Sequence, residues 1–353
     1  MDQSSLTNLY EWIRKIGIIG HKKRQEFLCE LLVGLIRSRS VHFCEIADKM
    51  DIPILPSSIE RRIQDFFQKV HFDYSRLILF FLGFIHHQRL ILSLDRTEWD
   101  FGKTQINILC LVVSIGKMGV PLYFEMLENN SGNSNYLDRI DLFKGLLARL
   151  GIDRIEVLIM DREFIGHQWL KWLKQQGIAF CVRVPKHHKI TLADGSCLKA
   201  EELLGQESAI YLDNGVVDKV VVNLYLGYDK QAELLYLIGT LPKETLSGIY
   251  KKRWSIEVYF QALKGRGFRL EESRLRCVEK YKKLFAVVSM AYTLCWAIGI
   301  EDGRNNPVRP KNHSYPQYSV FRRGLNIFRA FCKRRKCLIV QKTITMASYR
   351  AGP

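Results

Sequence analysis

The hydrophobic periodicity of the chain changes near Arg89, and this change constrains the fold more than any other feature. Before it, apolar residues recur at helical spacing, as in RQEFLCELLVGLIRSR. After it come short apolar runs, RLILSLDRT, INILCLVVSIG and VPLYFEML, with a turn at Lys117, Met118 and Gly119 between the second and the third. These runs predict a three-stranded antiparallel meander.

Two further strands alternate with helices. A helical pattern runs from Asn135, a suitable N-cap, to Leu150, and RIEVLIMD follows as a buried strand. GHQWLKWLKQQG is a helix closed by Gly177, and IAFCVRV is a fifth strand. In residues of about 185–242, apolar and polar side chains alternate, and Gly and Asp separate the runs, which predicts a β-rich insertion. Another helix follows.

The element order is therefore β-β-β-α-β-α-β, a β-rich insertion, and a helix. This order is typical of an α/β fold with an RNase H-like catalytic domain, which we place at residues 85–302 with the insertion at about 185–242. Residues 1–84 are predicted to be a helical N-terminal DNA-binding domain, because two helices flank a Pro-containing turn and the second carries Arg61 and Arg62. An ordinary small helical bundle fits the same pattern.

Charge points to a polyanionic partner. The 353 residues carry a formal net charge of +17, and residues 303–353 hold twelve Lys or Arg and no Asp or Glu. We interpret residues 303–353 as a basic C-terminal tail that binds nucleic acid or an acidic membrane surface, with a solvated tail as the alternative.

Cellular location is predicted from the cysteines and the N-terminus. Nine scattered cysteines without a CxxC pair indicate a reduced compartment, and the N-terminus lacks a signal-peptide pattern, so we expect a cytoplasmic protein. The uncharged run from Leu284 to Ile300 is interpreted as a buried helix rather than a membrane span.

The segment GIYKKRWSIEVYFQALKGRG, residues 248–267, contains one acidic residue among basic and aromatic residues. On a helix, Tyr250, Arg253, Glu257 and Lys264 would share an arc about 60° wide, beside an apolar face. A solvated amphipathic helix would show the same stripe.

Two aspartates complete a candidate metal site. Asp95 is a charge within the first apolar strand, which is costly unless it is paired or binds a cation, and Asp161 ends the fourth strand. Those strands are neighbours in an RNase H-like sheet, and Glu257 would reach the same point from its helix. Three carboxylates suit two Mg²⁺ ions, or Mn²⁺, which clamp the attacking and leaving oxygens of a phosphodiester. A strand-end Asp is also often only a turn or cap residue.

These motifs resemble those of bacterial insertion-sequence transposases of the DDE class, the insertion-sequence-family-four type. Y250-KK-R253-WSI-E257-VYFQAL-K264 matches the Y-x2-R-x3-E-x6-K signature of that family. D161-R-E-F and D95-R-T resemble the stretches around its second and first aspartates. The resemblance covers about residues 85–300 in element order.

The resemblance implies a function and a set of roles. Asp95, Asp161 and Glu257 would be the catalytic, metal-binding triad, and Tyr250, Arg253, Lys264 and Arg183 would bind DNA phosphates. The family acts as a DNA-bound dimer on double-stranded DNA, pairing terminal inverted repeats and inserting them into target DNA by cut-and-paste transposition in the bacterial cytoplasm.

Some members of the family form a DNA hairpin and hold a flipped base with an insertion-domain tryptophan. Here no Trp lies between Trp172 and Trp254. The aromatic residues that the insertion offers in its place are Tyr211, Tyr225, Tyr228 and Tyr236.

Two alternatives share the same motifs. One is a non-catalytic DNA-binding protein derived from a transposase. The other is an RNase H-like nuclease that cleaves DNA without strand transfer.

Overall fold

The structure is a computed structural model that describes residues 3–101, 104–127, 132–229, 231–307, 316–334 and 338–350. Its helices are α1 (Gln3–Ile16), α2 (Lys22–Ser38), α3 (Phe43–Ala47), α4 (Pro56–Lys69), α5 (Tyr74–Leu82), α6 (Tyr136–Leu147), α7 (His167–Gln175), α8 (Ala200–Leu204), α9 (Leu246–Tyr250), α10 (Trp254–Leu263), α11 (Val278–Asn305), α12 (Val320–Arg334) and α13 (Leu338–Arg350). Its strands are β1 (Leu90–Phe101), β2 (Thr104–Ile115), β3 (Met118–Met126), β4 (Ile155–Met160), β5 (Phe180–Arg183), β6 (Lys189–Thr191), β7 (Cys197–Lys199), β8 (Ala209–Val217), β9 (Val220–Tyr228) and β10 (Leu234–Gly239).

The chain divides into two compact units. The first contains residues 1–86, 99–106 and 260–353, and the second contains residues 87–98 and 107–259. The first unit is mainly helical, and the second contains most of a large mixed sheet. The protein is therefore of mixed α/β class.

In the first unit, α11 is the central helix. It contacts α2, α4, α5, α12 and α13, and nearly all of its residues from Leu284 to Ile298 are buried. It is also the one described helix that is long and apolar enough to cross a membrane, but 94% of its most apolar window is buried inside the protein. Burial against five other helices is the environment of a core helix, as the sequence predicted.

Two helices, α12 and α13, occupy the described part of the basic C-terminal segment. Phe321 and Phe328 of α12 and Ile344 of α13 are buried. Arg323 of α12 forms an ion pair with Asp302 of α11. The basic residues of α12 therefore lie on an amphipathic helix, and the apolar face of this helix packs into the hydrophobic core of the first unit.

The described strands form one ten-stranded sheet, most of which lies in the second unit, in the order β3-β2-β1-β4-β5-β10-β9-β8-β6-β7. The β2–β3 pair is antiparallel, whereas β4 pairs in parallel with both β1 and β5. The β4 and β5 crossovers run through α6 and α7, as the sequence predicted. An Asn135 and Asp138 capping box starts α6.

The β-rich insertion extends this central sheet. Its last strand, β10, pairs antiparallel with β5, and β9, β8, β6 and β7 continue outward from it. Asp218 and Lys219, which both have positive φ, connect β8 to β9 in a two-residue hairpin loop. The insertion is thus anchored through a direct strand pair to the part of the sheet that carries the candidate aspartates.

The segment predicted as one helix through Lys264 differs in the structure. It is divided into α9, a 3₁₀ turn over Lys251–Arg253, and α10, which ends at Leu263. A 3₁₀ turn contains fewer residues per turn than an α-helix, so helical-wheel positions shift across it.

Close packing fixes where this segment lies on the sheet. A Cβ placed on Gly119, in β3, would lie 2.6 Å from the carbonyl oxygen of Ser255 in α10. Only glycine therefore allows this approach of strand and helix.

We expect Gly119→Ala to lower the free energy of unfolding by about 1–3 kcal/mol, because either β3 or α10 must move to admit the methyl group. Chemical denaturation would measure the loss. Gly248→Ala in α9 is the matched control, since a Cβ at that position would meet no neighbouring atom within 4 Å. Equal stability of the two variants would contradict the close packing described for Gly119.

Candidate active site

Asp95 and Asp161 lie on adjacent parallel strands. Leu94 of β1 pairs with Met160 of β4, so the two aspartates follow directly in register. Both strands run in the same direction, which brings their side chains to the same region of the sheet. The predicted juxtaposition of the two aspartates is present.

Arg253 connects these aspartates to Glu257. Its Nη1 lies 3.2 Å from Asp95 Oδ2 and 3.8 Å from Asp161 Oδ2, and its Nη2 donates to Glu257 Oε1 at 2.5 Å. The side chain of Arg253 is only 14% exposed, and those of the three acids are 18–29% exposed. Three carboxylates thus converge on one cationic group in a largely desolvated site.

Tyr250 adds a hydrogen-bond donor to the same cluster. Its hydroxyl donates to Asp161 Oδ1 at 3.0 Å, and the Arg253 guanidinium lies 5.8 Å from the centre of its ring. Burial, partly opposed by Arg253, raises the pKa of Tyr250, so the hydroxyl remains a donor at neutral pH. The Tyr250 side chain also packs on an apolar cluster of Cys181, Leu235, Leu237 and Leu246.

A chain of three serine hydroxyls connects the strands to the helix. Ser93 of β1 and Ser114 of β2 are 2.9 Å apart at Oγ, and Oγ of Ser114 is 2.7 Å from that of Ser255 in α10. Ser114 also lies 3.2 Å from the carbonyl oxygen of Lys252, within the 3₁₀ turn. These bonds orient the segment that carries the arginine and the glutamate against the strand that carries Asp95.

Burial and neighbouring groups both shift the pKa values of the cluster. Desolvation raises the pKa of Asp95 to about 6, although Arg253 and the backbone N–H of Arg96 lower it. Burial alone would lower the pKa of Arg253, but Tyr250 and the surrounding carboxylates outweigh it and raise that pKa above its usual value. Asp95 is therefore held as an anion at neutral pH at the cost of stability.

A second group of charges, not predicted from the sequence, supports the aspartates. Arg96, which follows Asp95, places Nη1 2.5 Å from Glu98 Oε2 and Nε 3.5 Å from Oε2 of Glu163, two residues after Asp161. The pair of Arg96 and Glu163 joins the two aspartate-bearing segments through their neighbours. The sequence contained a signal for this pair, because an arginine follows each aspartate and D-R-E-F also contains a glutamate.

The donor set fits a divalent metal ion in kind. Carboxylate oxygens are the ligands that Mg²⁺ and Mn²⁺ prefer, and a positive group already lies among them. Across the ranges that the structure describes, no group of three or more His, Cys, Asp or Glu is spaced to hold a metal ion. The carboxylates are instead arranged around the Arg253 guanidinium.

Two other predicted phosphate-binding residues have their own contacts. Arg183 ends β5, and its Nη2 lies 3.5 Å from Glu233 Oε2 and 3.5 Å from the carbonyl oxygen of Leu234. Lys264 belongs to the first unit, where its Nζ lies 4.8 Å from the centre of the Trp99 ring. That geometry is a cation–π contact.

The insertion tyrosines differ in their exposure. Tyr236 is fully buried, whereas Tyr211 is 43% and Tyr228 is 52% exposed. Tyr225 packs against Tyr211 with ring centres 5.2 Å apart. Tyr211 and Tyr228 are thus the two of these tyrosines with a large free ring surface.

Comparison with protein families agrees with the motifs. The family model described as "Transposase DDE domain" matches residues 86–294, more than half of the chain. No curated protein matches the sequence. Among solved structures, the piggyBac transposase in a synaptic complex with hairpin DNA is similar at 12% identity with a TM-score of 0.46, over 94% of this chain and 78% of that one.

The raised pKa of Asp95 makes a prediction about stability. Its folded-state pKa of about 6 exceeds the usual 3.8, so ionisation costs stability as the pH rises through that interval. We expect Asp95→Asn to raise the free energy of unfolding by about 1–3 kcal/mol at pH ~8 and to have little effect near pH ~4.

Denaturant unfolding of both proteins at the two pH values would measure this difference. Asp141→Asn, at an aspartate whose side chain is 71% exposed, is the matched control and should show little dependence on pH. A lower stability of Asp95→Asn than of wild type at the higher pH would contradict the assignment.

Proposed function

The chain belongs to the family of transposases with a DDE domain, and from this we propose that it catalyses cut-and-paste transposition of an insertion sequence. The observation that carries the proposal is the convergence of Asp95, Asp161 and Glu257 on one cationic position beside two adjacent strands. A DNA-binding protein without catalytic activity would not require three acids close together in a desolvated site. Their carboxylates repel one another and also repel the phosphates of DNA.

The proposed metal-binding residues are Asp95, Asp161 and Glu257, with two Mg²⁺ ions as the expected cofactors and Mn²⁺ as a substitute. When bound, the ions would stabilise charge on the attacking and leaving oxygens of a phosphodiester during hydrolysis and strand transfer. The protein's own contribution is to hold the three acids in one place. Strand pairing fixes Asp95 and Asp161, and the serine hydroxyl chain fixes the segment bearing Glu257.

Arg253 has two proposed partners at different stages. In the structure it forms ion pairs with the three carboxylates, whereas the resemblance to the transposase family assigns it to a DNA phosphate. A guanidinium binds carboxylate and phosphate with similar paired hydrogen bonds, so one can replace the other. We propose that Arg253 releases the carboxylates when DNA enters and then binds phosphate, together with Tyr250, Arg183 and Lys264.

The fold and the signature support the finer assignment. The strand order β3-β2-β1-β4-β5, with β4 parallel to both of its neighbours, is that expected of an RNase H-like domain. The Tyr250–Lys264 signature supports the insertion-sequence-family-four type. If a hairpin intermediate is used, Tyr211 or Tyr228 would stack on the flipped base, since each has an exposed ring.

The proposed partner is double-stranded DNA, comprising terminal inverted repeats and a target, bound by a homodimer in the bacterial cytoplasm. Arginine side chains in the first unit support the proposal that DNA is the partner. Burial is the main cause that lowers the pKa of Arg39, and the nearby charges of Arg322 and Arg329 of α12 and of Arg269 lower it further. An anionic partner would relieve the Coulombic repulsion among these four arginines.

We expect Asp95→Asn, Asp161→Asn and Glu257→Gln each to abolish cleavage of transposon-end DNA, because each removes one charge and almost no volume from the proposed metal site. Binding to the same DNA should remain within about threefold of wild type, since the acids do not attract phosphate. Gel assays of cleavage and joining in Mg²⁺, with binding measured in its absence, separate the two effects.

Asp153→Asn, at an exposed acid, is the control and should cut normally. A triad variant that cuts at the wild-type rate would remove that residue from the site. Cleavage by wild type without any joining product would instead favour an RNase H-like nuclease.

We expect the double variant Arg322→Gln/Arg329→Gln to weaken binding to all duplex sequences alike. If each side chain contacts one phosphate, the slope of log affinity against log salt concentration should become shallower by about 1.8. Substitution is preferable to removing residues 321–353, because that deletion would expose core around Phe328 and Ile344. An unchanged slope would mean that these two arginines are solvated and do not contact DNA.

A further inference from the structure

A pocket of about 460 Å³ lies in the second unit beside the segment that follows Asp161. It is lined by the residues at the start of α6, by Arg139 and by the start of α7 from Ile165 to Trp169. The carboxylates, Tyr250, Arg253 and the other proposed phosphate-binding residues are not among its lining residues. The pocket is therefore separate in its composition from the candidate active site.

The N-terminus of α7 opens into this pocket. The helix has nine residues, no acid in its first turn, and Gly166 as an N-cap without a side-chain hydrogen bond. Its first N–H groups have no partner within the helix, and the helix dipole makes this end positive. The nearby start of α6 differs, because Asn135 and Asp138 already cap it.

Arg139 is an independent second feature of the pocket. Its side chain is only 4% exposed, and it donates to Ser134 Oγ at 3.0 Å, to the Ser134 carbonyl at 2.6 Å and to the Glu163 carbonyl at 3.0 Å. These bonds use Nε and Nη2, and the guanidinium also lies over the Phe164 ring, 5.0 Å from its centre. Across the described ranges, Nη1 has no hydrogen-bond partner and no carboxylate lies at ion-pair distance from Arg139.

A buried guanidinium without a paired anion is costly. Burial lowers the pKa of Arg139 to about 10, with Glu163 and Asp138 partly opposing the change, so the group stays charged at neutral pH. The carboxylate of Glu163 is paired with Arg96 instead. The pocket thus combines a fixed positive charge with the free N–H groups of a helix terminus, which is the chemistry of an anion site.

We propose that this pocket binds a phosphate of the DNA backbone and so positions the strand beside Asp161. The inference rests on the proposed function, which makes DNA the available polyanion. Arg139 holds the carbonyl of Glu163, two residues from Asp161, so a phosphate bound here is coupled to the segment that carries that aspartate. Arg139 is a binding residue in this proposal and takes no part in the chemistry.

Gln168→Glu tests the site without removing a buried group. Gln168 is exposed, lines the pocket and lies in the first turn of α7, where a carboxylate stabilises the helix but repels phosphate. The matched control is Gln175→Glu, the same change at the exposed last residue of the same helix. Fluorescence anisotropy with a labelled duplex would give Kd, and thermal unfolding would report stability.

We expect Gln168→Glu to bind duplex DNA about tenfold more weakly than wild type, with an unchanged or higher Tm, and Gln175→Glu to bind within about twofold. Replacing single phosphates by neutral methylphosphonates should weaken wild-type binding at one position and should not weaken Gln168→Glu further there. Equal Kd values for the two glutamate variants would overturn the proposal.

A second probe separates this site from the proposed function. Inorganic phosphate should raise the Tm of wild type and of Gln175→Glu more than that of Gln168→Glu, whether or not the protein cuts DNA. If wild type cuts transposon ends but the three proteins respond equally to phosphate and DNA, the anion site is wrong and the transposase function stands. If the phosphate effect is present but no DNA is cut, the anion site stands and the function is wrong.

Discussion

The ion pairs of Arg253 are the interaction on which the candidate site depends. Asp95, Asp161 and Glu257 are brought into a region with little solvent, where three unpaired carboxylates would repel one another strongly. One guanidinium with several donors in a plane can satisfy all three at once, whereas a lysine ammonium would offer a single point of charge. The arginine therefore lets an acidic centre exist in the folded protein before any other cation reaches it.

Backbone packing places this charge cluster. The parallel pairing of β1 and β4 sets the two aspartates side by side, and the serine hydroxyl chain together with the contact at Gly119 sets the segment after β10 against β2 and β3. Each support uses a small side chain or none. Larger residues at these positions would hold the helix away from the sheet and separate the acids from their arginine.

Much of this arrangement follows from the sequence, and the remainder has identifiable reasons. The strand order was predictable from the order of the apolar runs and helices. Asp95 and Asp161 were predictable because an acid within or at the end of an apolar run gives a strong local signal. The 3₁₀ turn at Lys251–Arg253 was not, since helical periodicity assumes a constant rise per residue, and Arg253 is the last residue of that turn. The Arg96–Glu163 pair and the extension of the sheet by β10 depend on contacts between distant segments, which no local pattern encodes.

The position of the insertion in the sheet has a consequence for how the chain is made. Arg253 and Glu257 follow the insertion, whose last strand, β10, pairs with β5 and leads into α9 and α10. A nascent chain that has emerged only as far as β5 would hold Asp95 and Asp161 close together without their arginine, so mutual repulsion would disfavour the β1–β4 register until synthesis passes Glu257. The acidic centre can therefore be completed only after the insertion has been synthesised, and a chain terminated within the insertion would lack both its third acid and the cation that pairs with the other two.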